Sequence, residues 1–477
     1  MNFSYHHELS SSRLLWEFLI EVEIILLSFL QMSSSKRGRG VGDRLGDLPD
    51  CLLHDILSSL GSRQAVQTSL LSRRWSRLWR DVPCIDIDER EFAGGVGEDW
   101  ERLEDFADHM LTSIPPGTRL DAFRMHLTSG GCDYGTSSRW IRRGLRHLPA
   151  AVDIQATHDR AVFWRPHQPI IRTYGAGPMF RRQGGLSACA AGFTGRLTTL
   201  RLVEVTTMCC FLEDLGQHCP VLEELHAERC KLQLGVVASP TLRRLAIISP
   251  VCCTTGDAAP RLEAPRLASL RLDIPYGMVD GSGPLATKMG AAVLEPLQTL
   301  AEASVRLTEW NHRWLNLHQL EFLKSVGSFL ALLSNVVNLH LQELGTMSLL
   351  DESQDQFPVL RSLKTLLLEK CDVGEEFHAL TGILWNTPNL EKLGLHRCTF
   401  VAPPTLEWRM KMASHKCRGS SPVTHDVLWC KNLKSIDIEC WQEDEAQLAR
   451  VLSEISEKML LEQWQKVKMS SRLVTPQ

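Results

Sequence analysis

Two rhythms of apolar and polar positions run along this chain. Between Leu48 and Trp79, in LPDCLLHDILSSLGSRQAVQTSLLSRRWSRLW, twelve of thirty-two residues are large and apolar, and they recur at helical spacing. Leu48, Leu52, Leu53, Ile56, Leu57 and Leu60 predict a first helix, opened by Pro49 and Asp50 and stopped at Gly61. Ser62 is placed to cap a second helix carrying Ala65, Val66, Leu70 and Leu71. Ser72 is placed to cap a third, in which Trp75, Leu78 and Trp79 fall at i, i+3 and i+4. At about 100° per residue, the apolar positions of the first helix cover roughly half its circumference, wider than the ~100° stripe that one core needs. Such a short stretch predicts half of an interface; packing of the surplus onto the rest of the chain is the competing reading. Trp75 and Trp79 are assigned to packing, because a buried Trp usually is.

Further along, the rhythm changes to alternation. CPVLEELHAERC (Cys219–Cys230), SPTLRRLAI (Ser239–Ile247), APRLASLRL (Ala264–Leu272) and TPNLEKLGLHRC (Thr387–Cys398) share the frame Pro-x-Leu-x-x-Leu-x-apolar. GRLTTLRL (Gly195–Leu202), LKTLLLEKC (Leu363–Cys371) and KNLKSIDIEC (Lys431–Cys440) fit it without the proline. The leading leucines at 197, 222, 242 and 267 are separated by 25, 20 and 25, and those at 363 and 390 by 27, which is the leucine-rich-repeat period. VVNLHL (Val336–Leu341) marks another repeat and DAFRMHL (Asp121–Leu127) an early degenerate one. The second leucine and the apolar residue after it alternate on a short strand and point inward, while the residues between face out on a concave surface. Cys230, Cys371 and Cys398 fall in the turn after the strand and read as buried structural thiols. FHALTGILW (Phe377–Trp385) reads as a helical return, and no repeat buries its apolar face without neighbours.

The predicted fold class is α/β: three short helices followed by an irregular leucine-rich-repeat solenoid, a curved parallel sheet with a helical or irregular outer face. Residues 1–42 form an N-terminal extension, 43–84 the helical module, 85–195 a connector with worn early repeats, 196–440 the solenoid and 441–477 a C-terminal helix. Leading frame positions are elsewhere 69 apart, from Leu267 to Val336, and 43 apart, from Leu390 to Leu433, and Gly277–Gly290 and Val401–Asp426 read as insertion loops. In the C-terminal helix Leu448, Leu452, Ile455 and Met459 share one face.

The order of residues in Leu48–Trp79, Leu-Pro, an apolar helix, Ala-Val, a Ser/Leu run, Ser-Arg-Arg-Trp and Leu-Trp, closely resembles the F-box of plant proteins that also carry leucine-rich repeats. The resemblance covers about forty residues, from roughly Asp43 to Cys84, and departs from the usual pattern at Cys51 and His54. It implies docking on a Skp-type adaptor and, through it, a cullin-based ubiquitin ligase. Carried over position by position, Leu48, Pro49, Leu53, Ile56 and Leu57 form the adaptor-facing part, and Val66, Leu70 and Leu71 share the interface and the small core. The last frame and its helix resemble the FBD-type C-terminal segment of such proteins, where it caps the solenoid; a generic capping helix is the alternative.

Composition narrows the function further. A net charge of −4 over 477 residues argues against a nucleic-acid binder working by bulk electrostatics. Fifteen scattered cysteines, with no C-x-x-C pair, point to reduced thiols in cytoplasm or nucleus and to no metal site. Leu14–Leu30 is apolar but only seventeen residues long and carries Glu17, Glu21 and Glu23, which argues against a membrane span. Residues 1–31 are therefore expected to be dispensable, with Met32 opening a polar, flexible arm. No G-x-x-x-x-G-K-[ST], H-E-x-x-H or G-x-S-x-G occurs, so neither catalytic residues nor cofactors are assigned. The expected function is a non-catalytic substrate receptor whose repeats hold an unknown target protein; the alternative is a repeat scaffold outside any ligase, keeping a vestigial F-box. The repeat frames place Glu223, Glu224, Arg243, Arg244, Arg266, Arg271, Glu391, Lys392 and His396 on the solvent side of strands or at their edges, where a target would be held.

Overall fold

A computed structural model describes residues 48–92, 99–127, 134–156, 163–164, 194–207, 211–212, 215–232, 236–252, 261–275, 297–308, 329–330, 332–344, 359–373, 378–399, 431–441, 449–450, 452–453, 455–456 and 464–474. The N-terminal extension and both predicted insertion loops, Gly277–Gly290 and Val401–Asp426, lie outside the described residues. The chain divides into two compact units, Met1–Leu53 and His54–Gln477.

In the first unit, helix α1 (Asp50–Ser58) begins where the backbone N–H groups of Leu52 and Leu53 donate to the Pro49 carbonyl at 3.1 and 3.2 Å. Pro49 is thus the residue whose missing donor costs nothing.

In the second unit, α1 ends as Leu60 N donates to the Leu57 carbonyl at 3.2 Å. Gly61 does not stop the helix by a left-handed turn, since its φ is −60° and ψ 151°. It serves by lacking a side chain, because a Cβ there would collide with the Glu91 carboxylate. Gly61 also takes the N-cap position predicted for Ser62, which lies inside helix α2 (Ser62–Gln67) with its side chain buried. A 3-10 turn, Thr68–Leu70, follows, then helix α3 (Trp75–Leu78), whose N-cap is Arg74 rather than Ser72. Trp75, Leu78 and Trp79 are buried, as their spacing predicted.

The rest of this unit is one long parallel ladder. Its early strands are β1 (Cys84–Asp88), β2 (Ala122–Leu127), β3 (Ala151–Ala156), β5 (Thr199–Val203), β7 (Glu224–Glu228) and β10 (Arg244–Ile248). β13 (Ser269–Pro275), β14 (Glu302–Thr308), β15 (Asn338–Gln342) and β16 (Thr365–Glu369) come next, followed by β17 (Lys392–His396), β18 (Ser435–Trp441) and β19 (Lys468–Val474). These thirteen strands pair in sequence order. Shorter strands β4 (Phe163–Trp164), β6 (Thr206–Thr207), β8 (Lys231–Leu232) and β11 (Val251–Cys252) form a second sheet, and β9 (Val236–Ala238) with β12 (Arg261–Glu263) a third. Helices α4 (Asp99–Ser113), α5 (Tyr134–Leu145), α6 (Leu215–His218) and α7 (His378–Trp385) lie between strands in sequence. The Asp108 carboxylate joins α4 to α5, accepting from Trp140 Nε1 at 2.9 Å and Arg143 at 2.6 Å.

Every leading leucine of the sequence frames, 197, 222, 242, 267, 363, 390 and 433, is buried, and so are the two apolar strand positions after each. Immediately after the strand the chain turns through a left-handed residue: Glu204, Arg229, Ser249, Glu343, Lys370 and Arg397 all have φ between 45° and 57°. That single αL step reverses the path at modest cost and drops the next side chain, among them Cys230, Cys371 and Cys398, into the interior. The three thiols donate to the carbonyls of Leu202, Leu341 and Leu368 at 3.3 to 3.5 Å, one repeat earlier. Burial pushes the Cys230 thiol up to about 11 and that of Cys398 to about 12, so they are structural groups and not nucleophiles.

β1, β2 and β3 belong to the same ladder, in the stretch read from sequence as a connector with worn early repeats. Two features differ from the sequence expectation. The 69-residue gap holds a full repeat, since β14 pairs directly with β13 and β15; Ala303 in place of the second leucine hid its frame. Finally, the C-terminal segment is helical at 449–450, 452–453 and 455–456, with Ile455 buried, and then adds β19 as a last strand. Leu448 and Met459 lie outside the described residues. Met469 of β19 is 54% exposed, so its apolar signal is as weak as an edge strand's.

Candidate functional site

The helical module sorts its leucines sharply. Leu53 and Leu57, read from sequence as adaptor-facing, are 0% and 1% exposed and act as core. Leu48, Ile56 and Val66 are half-buried, and Pro49 is exposed. Leu70 stands 87% exposed at the end of its 3-10 turn, Leu71 37% and Leu52, which sequence reasoning left out of the docking set, 46%. A leucine fully in solvent on an otherwise well-packed turn forgoes roughly 1.5–3 kcal/mol of burial, which a partner could recover.

Helix α2 is fastened to the first strand and the turn after it. The Asp86 backbone N–H donates to Ser62 Oγ at 2.7 Å, which is what Ser62 does in place of capping a helix. Arg63 reaches the Glu91 carbonyl and lies 4.5 Å over the Phe92 ring. Burial, with help from the nearby Asp86 and Asp88, raises the Glu91 carboxyl to about 7 against the pull of Arg63. One oxygen of that carboxylate, Oε2, is buried without a hydrogen-bond partner among the described residues. Because the folded pKa lies above the ordinary value of 4.5, the folded protein is favoured while Glu91 stays protonated. It loses that advantage as pH rises through the window from 4.5 to about 7. Glu91→Gln is therefore expected to match the parent at pH 4 and to exceed it by about 1 kcal/mol at pH 7.5 in urea unfolding, after discounting for partial exposure.

The polar face of the main sheet is organised by register. In its middle row run Asp86, Arg124, Asp153, Arg201, His226, Ala246, Arg271, Ser304, His340, Leu367, Gly394, Asp437 and Ser470. At the N-terminal end charges alternate, with Arg124 4.0 Å from Asp86 and Arg201 3.7 Å from Asp153. Towards the C-terminal end, His340 and Glu369 are 3.0 Å apart, and His396 and Asp437 3.1 Å. His226 and His340 are both held below the ordinary imidazole value, burial being the main cause.

The predicted target-binding residues divide in two. Arg271 and His396 stand on this face. Glu223, Arg243, Arg266 and Glu391 precede their strands and lie at its edge. Glu223 and Arg243 pair at 3.8 Å, and Glu391 lies 3.7 Å from Lys364 and 2.5 Å from Lys434. Those two lysines hold its carboxylate below the usual range. The leucine frame locates a strand to within a residue but does not say which polar neighbours compensate one another across strands, so the pairing of Glu223, Arg243 and Glu391 was invisible in sequence. Among the described residues no group of three or more His, Cys, Asp or Glu could hold a metal ion, and no helix is long and apolar enough to cross a membrane.

Residues 45–86 match the family described as F-box domain. Over 83% of this chain and 80% of the relative, the sequence is 38% identical to the MEIOTIC F-BOX protein MOF of Oryza sativa subsp. japonica. It is 25% identical, over 80% of each chain, to an F-box/LRR-repeat protein of Arabidopsis thaliana. An F-box/FBD/LRR-repeat protein of the same plant is 35% identical over 22% of this chain.

Proposed function

We propose that this chain, which belongs to the plant family of F-box and leucine-rich-repeat proteins, is the substrate-recognition subunit of a Skp–cullin–F-box ubiquitin ligase. The observation that carries the reading is the helical module, which leaves Leu70 in solvent while Ser62 accepts from the first strand of the main sheet. On this reading the module docks on the Skp-type adaptor, the adaptor joins a cullin, and the polar face of the repeats holds the target. The chain performs no chemistry itself. It raises the effective concentration of target near the charged ubiquitin carrier, and a stiff connection matters because effective concentration falls once geometry forbids simultaneous engagement. Cytoplasm or nucleus is the compartment in which it would act.

Co-expression with a Skp-type adaptor and a cullin tests this. The expected result is a stoichiometric complex that survives size-exclusion chromatography. A chain that folds but elutes free of the adaptor would instead be a repeat scaffold with a vestigial F-box.

A further inference from the structure

We propose that the target is held by a carboxylate of an acidic segment, bound to Arg271 at the middle of the polar face. The inference rests on the receptor reading above and names the chemistry of what is received.

Arg271 lies on β13, the seventh of the thirteen strands. Its register partners on the two adjoining strands are Ala246 and Ser304, so neither side supplies a carboxylate. On the neighbouring strands Arg201 is answered by Asp153 at 3.7 Å, Arg306 by Glu343 at 2.9 Å, and Arg244 by Glu224, while Arg266 lies outside this row, at the sheet edge before β13. Arg271 is exposed and makes no ion pair or hydrogen bond among the described residues. Two carboxylates stand near Arg271 in the register, Asp273 and Glu302. Asp273, two positions along the same strand, is 1% exposed and already accepts from the Ser249 backbone N–H and hydroxyl at 3.0 and 3.4 Å. Glu302, on the next strand and one outward position towards its start, is exposed and forms no ion pair among the described residues.

The small neighbours leave the guanidinium standing clear of its own row, with His226 and His340 in the same row two strands away on either side. Arg271 adds to the depression of both imidazole pKa values, which leaves the histidines neutral and Arg271 the cation of that stretch. One planar guanidinium between Ala246 and Ser304 matches a single carboxylate, which it can grip through two parallel hydrogen bonds. A nucleic acid would need several uncompensated cations in a line, and the alternating charges of β1 to β5 neutralise one another instead.

Peptide display tests the assignment, with the full chain co-expressed with its adaptor as bait and a random dodecapeptide library as probe. Peptides recovered by the parent are expected to share Asp or Glu at one position. Arg271→Lys should keep that preference, Arg271→Gln should lose it with at least a tenfold weaker affinity for the recovered peptides, and Arg271→Glu should turn it towards Lys or Arg. Absence of an acidic consensus, or an acidic consensus that survives Arg271→Gln, overturns the proposal. Adaptor binding is scored in the same samples. Failure of ligase docking therefore shows as a lost adaptor, and a wrong assignment of Arg271 as a peptide preference indifferent to the substitution.

Discussion

Replacing Leu70 by glutamate is expected to abolish capture of the Skp-type adaptor while leaving the melting temperature of the chain where it was. Leu70 is 87% exposed, so the folded chain gains almost nothing from it, and surface changes of this kind usually stay within about 0.5 kcal/mol. In the complex the substitution forgoes roughly 1.5–3 kcal/mol of apolar burial. It also forces an unpaired charge towards an apolar partner, at a further cost of several kcal/mol, so affinity should fall about a hundredfold or more. Leu71→Glu should act in the same direction but less, as its side chain is only 37% exposed. Leu57→Glu is the contrasting case: at 1% exposure it should unfold the module and lose adaptor binding and stability together. Titration calorimetry with purified adaptor, beside thermal melts, separates the two. Parent-like affinity in a folded Leu70→Glu chain would remove this turn from the docking surface.

The second large effect is expected inside the solenoid. Leu366 of β16 is 0% exposed and stands in register between Leu339 on β15 and Leu393 on β17. Truncation to alanine leaves a cavity shared by three repeats, and buried Leu→Ala changes cost about 2–5 kcal/mol. Because each repeat leans only on its neighbours, the loss should appear first as a lower-stability transition of the C-terminal strands in denaturant titrations. Adaptor capture through the distant helical module should persist. A single cooperative transition, with adaptor binding lost in step, would show instead that the module and the repeats stand or fall together.

Sequence alone determines whatever local periodicity encodes. The leucine frames located β5, β7, β10, β13, β15, β16, β17 and β18, because inward alternation and a leading buried leucine are required of every stacked repeat. The buried Cys230, Cys371 and Cys398 were legible for the same reason. Strands that break the frame were not: β1 reads CIDID, β14 replaces a leucine by Ala303, and β19 keeps an outer edge open to water. Nor does helical spacing say which leucines of Leu48–Trp79 are core. Leu57 and Leu70 look alike in sequence, and only the packed chain buries one and leaves the other in solvent. The same holds for charge. Sequence marked Glu223, Arg243, Glu391 and Arg271 as equivalent surface residues, yet pairing across strands as much as 43 residues apart neutralises Glu391 through Lys434. Register places Arg271 between an alanine and a serine. Electrostatic compensation acts between residues that meet only when the ladder forms, and so the isolation of Arg271 was decided by the tertiary structure alone.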